Sequence, residues 1–227
     1  MPPTAHLRPT APFAGRALLP GDPARALALA QQLLDEPRMF NHAHALWGYT
    51  GTAADGRPLT IQSTGLGGPS AAIVVEELCD LGLRAAVRVG TCGALDGAAA
   101  PGELVCAREA LARDGTSAAL GAGARVPADP ALTAALGAGA DHTGTIISTD
   151  LFYDPASAAA RAGLRDGALA LDLQGAAVLA VAARRDVRAG CLLAVVRGPA
   201  GDELEGEALD AAIRRLGRVG AEALAEA

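Results

Sequence analysis

Aromatic side chains are scarce. Three Phe, two Tyr and one Trp in 227 residues leave most of any core to aliphatic groups, and they make the position of each ring informative. Also missing is any run near the roughly 18 apolar residues that a membrane span needs, and the opening stretch MPPTAHLRPT has no apolar signal core. A cytoplasmic protein without a membrane partner is expected. The four cysteines, Cys79, Cys92, Cys106 and Cys191, never fall at Cys-x-x-Cys spacing and sit mostly in apolar stretches, which argues against a disulfide framework or a metal site and for small buried thiols. Basic residues form no cluster interleaved with aromatics and the net charge is −6. Nucleic acid is therefore not an expected partner, and any anion must be met by a local site.

What is present, 51% hydrophobic and 19% charged residues, suffices for one large domain spanning residues 1–227. Alanine is so abundant that helix propensity discriminates poorly, and Gly, Pro and Asp punctuation is the better guide. Residues 16–19 read as a strand, and Asp22 as N-cap with Pro23 in the first turn starts a helix to about residue 34. Residues 47–53 and 58–63 read as a hairpin closed by a two-residue Asp55-Gly56 turn. A helix over 71–81 stops at Gly82, and a strand over 86–89 breaks into a loop at 90–93. Further strands are expected at 102–108, 143–148, 168–171 and 189–196, a connector at 118–128, a short helix from Asp129-Pro130 and a helix over 175–185. Leu209, Ile213, Leu216 and Val219 recur at helical spacing and predict a surface helix over 205–226. The alternation predicts an α/β fold with a mixed central β-sheet flanked by helices.

The chemistry centres on Arg88-Val-Gly-Thr91-Cys-Gly93. An arginine inside a buried strand keeps its charge and needs an anion, either an internal carboxylate or a bound oxyanion such as phosphate. Thr91 beside glycines, at the carboxyl end of a strand, suits the oxyanion. Gly21 and Arg25 at the start of the first helix can meet an anion at a positive helix end, or can be an ordinary strand-to-helix turn with a surface arginine. Phe152 and Tyr153 fill a core or stack on a ligand.

The loop Gly65-Leu-Gly67-Gly68-Pro69-Ser70 lacks the third glycine of a dinucleotide-binding loop. Followed by Ile73 and Glu77-Leu78, it resembles the signature of the nucleoside phosphorylase family that contains hexameric purine nucleoside phosphorylases and uridine phosphorylases. Pro20-Gly21-Asp22-Pro23 with Arg25, the Arg88–Gly93 motif, and Ser148-Thr-Asp150-Leu-Phe152-Tyr153 resemble three further motifs of that family in the same order. The resemblance implies inorganic phosphate as co-substrate without a cofactor, bound by Gly21, Arg25, Arg88 and Thr91, with Arg88 also catalytic. It places the sugar at Asp172, Leu173 and Gln174, with His6 of a neighbouring subunit, and the base at Phe152, Val195 and Val196. It implies self-association, as a dimer or a trimer of dimers.

Departures from the family's pattern bear on selectivity. An amide, Gln174, stands where a carboxylate grips the ribose in relatives, and Arg197 stands where purine-specific members carry the aspartate that protonates the leaving base. The base anchors of uridine phosphorylases would fall at Ala156 and Ala158. His44 replaces a neighbour's phosphate-binding arginine and binds an anion when protonated, or is a surface histidine. Arg197 is then expected to act on the leaving base, with Asp202 or Glu203 of the following loop as the other candidate. Two functions remain: a phosphorylase with atypical base selectivity, or a degenerate member that binds nucleoside or phosphate without efficient catalysis. A hydrolytic nucleosidase fits less well, because hydrolysis has no use for two phosphate arginines.

Overall fold

The computed structural model describes residues 4–95, 99–154 and 157–226. Proline and aspartate punctuation sets the first elements. Strand β1 (Arg16–Leu19), buried throughout, turns through Gly21 into α1 (Pro23–Leu33), whose N-cap Asp22 accepts the Ala24 N–H while Pro23 occupies the first turn. Next come β2 (Asp35–Asn41), a 3-10 turn at Ala43–Ala45, and the hairpin β3 (Gly48–Thr52) and β4 (Pro58–Gln62). The hairpin loop has three residues rather than the expected two, because the Ala53 N–H donates to the Arg57 carbonyl, and Gly56 absorbs the left-handed position at φ 75.

Helix α2 (Gly67–Asp80) leads to β5 (Ala85–Ala94), β6 (Leu104–Arg113), α3 (Gly115–Ala119), β7 (Arg125–Pro127) and α4 (Pro130–Gly139). The chain ends with β8 (His142–Thr149), α5 (Ala158–Arg165), β9 (Ala168–Asp172), α6 (Gly175–Arg184), β10 (Arg188–Arg197) and α7 (Gly206–Glu226). Residues 90–93 are not the expected loop. They continue β5, because Gly90, Thr91 and Cys92 pair with Leu193, Ala194 and Val195 of β10, and Gly93 with Leu171 of β9. The expected connector at 118–128 likewise holds the end of α3 and all of β7, which pairs with β6.

One ten-stranded mixed sheet runs β10-β6-β8-β9-β5-β1-β4-β3-β2, with β7 added on β6. Because β10 also pairs with β5, strands β5, β10, β6, β8 and β9 close into a ring, and β1, β4, β3 and β2 extend from it as a wing. The mixed sheet flanked by helices predicted from the sequence is the one observed. Side chains alternate across β1 and β5. Leu18, Val87 and Val89 pack under Leu29 of α1, Leu132 and Leu136 of α4, and Ile213, Leu216 and Val219 of α7. Ala17, Leu19 and Ala86 face Val74, Val75 and Leu78 of α2 and Val178 and Val181 of α6. Arg88, two residues after Ala86, therefore points to the α2/α6 side, towards the start of α6. Of the cysteines, Cys92, Cys106 and Cys191 are buried and Cys79 is half-buried, and none is bonded to another. Burial pushes all four thiols up, Cys79 and Cys106 to about 11, so none is poised as a nucleophile.

Candidate functional site

The Arg88 guanidinium, which is only 5% exposed, is met by a segment far away in sequence that ends β9 and opens α6. Its Nε donates to Asp172 Oδ2 at 2.9 Å, from the end of β9, and its Nη1 donates to Gln174 Oε1 at 2.5 Å, at the start of α6. Asp172 is held in turn by Ser148 Oγ at 2.6 Å and by the N–H groups of Gln174 and Gly175. Of the two anions the sequence allows for Arg88, the internal carboxylate is thus present. Nη2 donates to no acceptor among the described residues. It lies back along its own strand over Gly90, where an added Cβ would come within 2.6 Å of it, so this position needs glycine.

Arg25, one turn into α1, donates from Nη1 to Thr91 Oγ1 at 3.2 Å, which brings it to the same strand end. Burial pulls its guanidinium below the usual range; Asp22 opposes this, and the Arg88 charge adds to it. The two guanidinium groups repel one another although each has a carboxylate, Asp172 at 2.9 Å from Arg88 Nε and Asp22 at 4.0 Å from Arg25 Nε; neither carboxylate takes Arg88 Nη2, so that group is available to an oxyanion. Gly21 closes the cluster: an added Cβ would lie 3.2 Å from the Gly65 carbonyl and 3.6 Å from Gln174 Oε1. Gly21, Arg25, Arg88, Thr91, Asp172 and Gln174, predicted from separate motifs, are therefore gathered in one place. Leu173, between the last two, is half-buried.

A second group forms where β10 ends. The Arg197 guanidinium sits 5.4 Å from the centroid of the Phe152 ring, and Phe152 meets Tyr153 edge-on at 4.9 Å. Phe152 is 57% exposed, so it is not a core residue. Val195 is buried and Val196 half-buried beside Arg197. Arg197 forms an ion pair with Glu203, across a short antiparallel bridge between the two residues. Asp202 is exposed; its carbonyl accepts the Gly198 N–H, and its carboxylate makes no ion pair among the described residues. Glu203, not Asp202, is thus the carboxylate on Arg197. Ala158 opens α5, and Ala156 lies outside the described residues.

His6 and His44 form a third group. His6 Nδ1 lies 2.7 Å from Glu77 Oε1, and the His6 and His44 rings are 5.3 Å apart. Burial works against the Glu77 charge, but the N–H groups of Leu7 and His6 and the His6 ring hold its carboxyl below the usual range. His44 is exposed and takes a left-handed φ of 55, followed by Ala45 at 56, an uncommon pair outside glycine. No hydrogen bond or ion pair among the described residues joins His6 or His44 to Arg25, Arg88 or Thr91.

Reasoning from sequence missed Ser148 as the support of Asp172, Thr64 as a donor to Gln174, and Glu77 as the anchor of the N-terminal segment. The motif residues Ser148 and Glu77 were in view, but the partners they hold are distant in sequence.

Comparison with known proteins adds a family, three relatives and a solved structure. The model of the phosphorylase superfamily matches residues 16–226. Over 192 residues the chain is 37% identical to guanosine phosphorylase of Halorubrum lacusprofundi, covering 79% of this chain and 76% of the relative. It is 35% identical over 198 residues to uridine phosphorylase of Treponema pallidum, with the same coverage of 79% and 76%. It is also similar to a DeoD-type purine nucleoside phosphorylase of Clostridium novyi, 30% identical over 192 residues, with 81% and 82% covered. Among solved structures, uridine phosphorylase from Vibrio fischeri ES114, in complex with 6-hydroxy-1-naphthoic acid, has the same fold, with a TM-score of 0.84 at 24% identity over 95% of this chain and 93% of that one.

Proposed function

The chain belongs to the phosphorylase superfamily, and from that premise we propose that it cleaves the N-glycosidic bond of a nucleoside with inorganic phosphate, giving free base and pentose 1-phosphate. The observation that carries this reading is the convergence of Gly21, Arg25, Arg88 and Thr91 on one strand end, with two guanidinium groups side by side and Arg88 Nη2 donating to no acceptor among the described residues. A phosphate oxygen attacks the anomeric carbon as the bond to the base breaks, and the bonding pair leaves with the base. Positive charge grows on the sugar, so a phosphate dianion held beside it stabilises the transition state as well as attacking it. In this reading phosphate is the co-substrate, and neither cofactor nor metal takes part. Phe152, Val196 and Arg197 border the base, whereas Val195, expected there, is sealed in the core behind them, and the match over residues 16–226 supports one domain for residues 1–227.

The relatives' names divide among guanosine, purine and uridine. Arg197 in place of a carboxylate supports a selectivity unlike that of the purine enzymes. A panel of inosine, guanosine, adenosine, uridine and thymidine, incubated with and without phosphate and read by chromatography of the free base, tests the reading. Release is expected only with phosphate; equal release without it would make the protein a hydrolase. Saturable phosphate binding without release from any nucleoside would favour the binding-only reading, which the closure of Arg88 by Asp172 and Gln174 supports.

Self-association belongs to the same reading. His6 and His44 make no hydrogen bond or ion pair with the Arg88 cluster among the described residues, and near them Ile73 is one turn from Glu77 on α2 and Trp47 follows His44 by three residues, both with exposed apolar area. We propose that this face meets a second copy and lends His6 and His44 to its site. Light scattering at micromolar concentration should give a multiple of 22.6 kDa, and a stable particle of 22.6 kDa would refute the shared site. No helix among the described residues is long and apolar enough to cross a membrane.

A further inference from the structure

Gln174 is 2% exposed, and its whole amide is used within the chain. Oε1 accepts from Arg88 Nη1 at 2.5 Å and from Thr64 Oγ1 at 2.9 Å, while Nε2 donates to the carbonyls of Gly65 at 2.9 Å and Gly67 at 3.1 Å. An amide offers one oxygen with two lone pairs and one nitrogen with two N–H groups, so no capacity is left for a ligand. The loop it holds needs fastening: Gly65 and Gly67 both take left-handed backbone, at φ 71 and 75, and Leu66 at the N-cap of α2 gives no side-chain cap. The same loop docks on the β1–α1 turn, with Thr64 N–H on the Pro20 carbonyl and Gly65 N–H on the Gly21 carbonyl. One side chain therefore ties Arg88, the glycine loop and Gly21 together. A carboxylate cannot replace it, since it has no proton to give and would set a charged oxygen against two carbonyl oxygens away from water.

We propose that Gln174 is a positioning residue that locks residues 64–67 against Arg88 and Gly21, so that the phosphate site is preformed, and that its amide gives the sugar no hydrogen bond. The inference rests on the phosphorolysis reading. It adds a statement about substrate class: with no partner waiting on Gln174, loss of the 2′-hydroxyl strands no buried group, and ribo- and 2′-deoxyribonucleosides of the same base should react within about tenfold of each other.

The Gln174→Glu and Gln174→Met variants, compared with the parent, test it. Hydrogen–deuterium exchange reads the lock without substrate: in both variants the peptide spanning residues 64–68 should exchange about tenfold or more faster, while the strands of the ring keep their protection. In turnover, KM for phosphate should rise by about tenfold or more in both, with kcat falling less. The two variants should then part with pH. On protonation the new carboxyl of Gln174→Glu gains an O–H that can donate to Gly65 or Gly67, so its phosphate KM should fall, relative to that of Gln174→Met, as the pH is lowered. The charged groups that face it, Arg88 on β5 and Asp172 at the end of β9, are common to both variants, as is the titration of phosphate itself, so the ratio isolates the donor. A merely space-filling role would leave that ratio flat. Unchanged exchange at residues 64–68, a flat ratio, or a ribose preference above about a hundredfold that vanishes in Gln174→Met would overturn the proposal. If the parent releases base from no nucleoside, the phosphorolysis reading fails, while the exchange measurement still decides the lock.

Discussion

Replacing Arg88 with methionine should weaken phosphate binding by about 10- to 100-fold and, in the same step, destabilise the fold by about 3 kcal/mol. The two losses have different origins. Phosphate loses the guanidinium that carries a free Nη2, whereas the fold loses the cation paired with Asp172, whose side chain is sealed from solvent. Removing one partner of a buried ion pair typically costs about 3–5 kcal/mol. The lower end applies here, because Asp172 keeps Ser148 Oγ and the N–H groups of Gln174 and Gly175. Combining Arg88→Met with Asp172→Asn should restore most of the stability, since no buried charge then stands alone, while phosphate binding stays lost. Urea unfolding and calorimetric titration with phosphate measure the two effects separately. Unchanged phosphate affinity in the folded double variant would remove Arg88 from the phosphate site.

Replacing Arg197 with alanine should slow nucleosides whose base leaves readily as an anion by about 10²–10³, the usual effect of deleting a donor aimed at developing negative charge. A guanidinium does not give up its proton at neutral pH, so it is a poor general acid but a good partner for an oxygen or nitrogen anion. In the parent, uridine and other nucleosides of acidic bases are therefore expected to outpace inosine and adenosine, and Arg197→Ala should erase that advantage while Asp202→Ala preserves it. The ion pair refines the expectation. Glu203 pairs with Arg197, and both groups are about half exposed, so breaking the pair costs little stability. Glu203→Gln should therefore fold normally and leave Arg197 more strongly electrophilic towards the base. Steady-state kcat/KM over the nucleoside panel reads all three variants. Robust inosine phosphorolysis that survives Arg197→Ala but is lost in Asp202→Ala would show that the loop carboxylate supplies a proton and that Arg197 has no such role.

The elements most legible in the sequence were those whose signal is local. Asp22-Pro23 opens α1 through a cap and a preset φ, Asp129-Pro130 does the same for α4, and the spacing of Ile213, Leu216 and Val219 marks the buried face of α7. Strand β2 was not legible. Its sequence Asp-Glu-Pro-Arg-Met-Phe-Asn is charged, interrupted by Pro37 and exposed over its first five positions, and it is a strand because β3 offers an edge to pair with. Helix α5 is almost all alanine and arginine, a composition that gives no contrast in so alanine-rich a chain, and its position is set by packing Ala159, Ala160 and Ala162 on Leu95, Ile147 and Ala168. The end of β5 reads as a break because glycines signal one, whereas here Gly90 makes room for a guanidinium and Gly93 pairs with β9 as Ala94 beside it does.

The sequence by itself determined the α/β class, the family, and the residue types at the candidate site, because strand and helix signals, caps and glycine loops act over a few residues and leave their marks there. It also determined that Arg88 must meet an anion, since burial of an unpaired guanidinium is prohibitive whatever the fold. Which anion was decided by tertiary structure alone. Asp172 lies 84 residues away, as the Arg88–Asp172 bond records, and it arrives because β9 and β5 close the same ring of strands. The role of Gln174 was decided in the same way: the carbonyls of Gly65 and Gly67 that claim its N–H groups come from a loop over a hundred positions earlier in the chain. A hydrogen bond depends on distance and direction in space, and those are set by how the strands register and the layers pack rather than by neighbours along the chain.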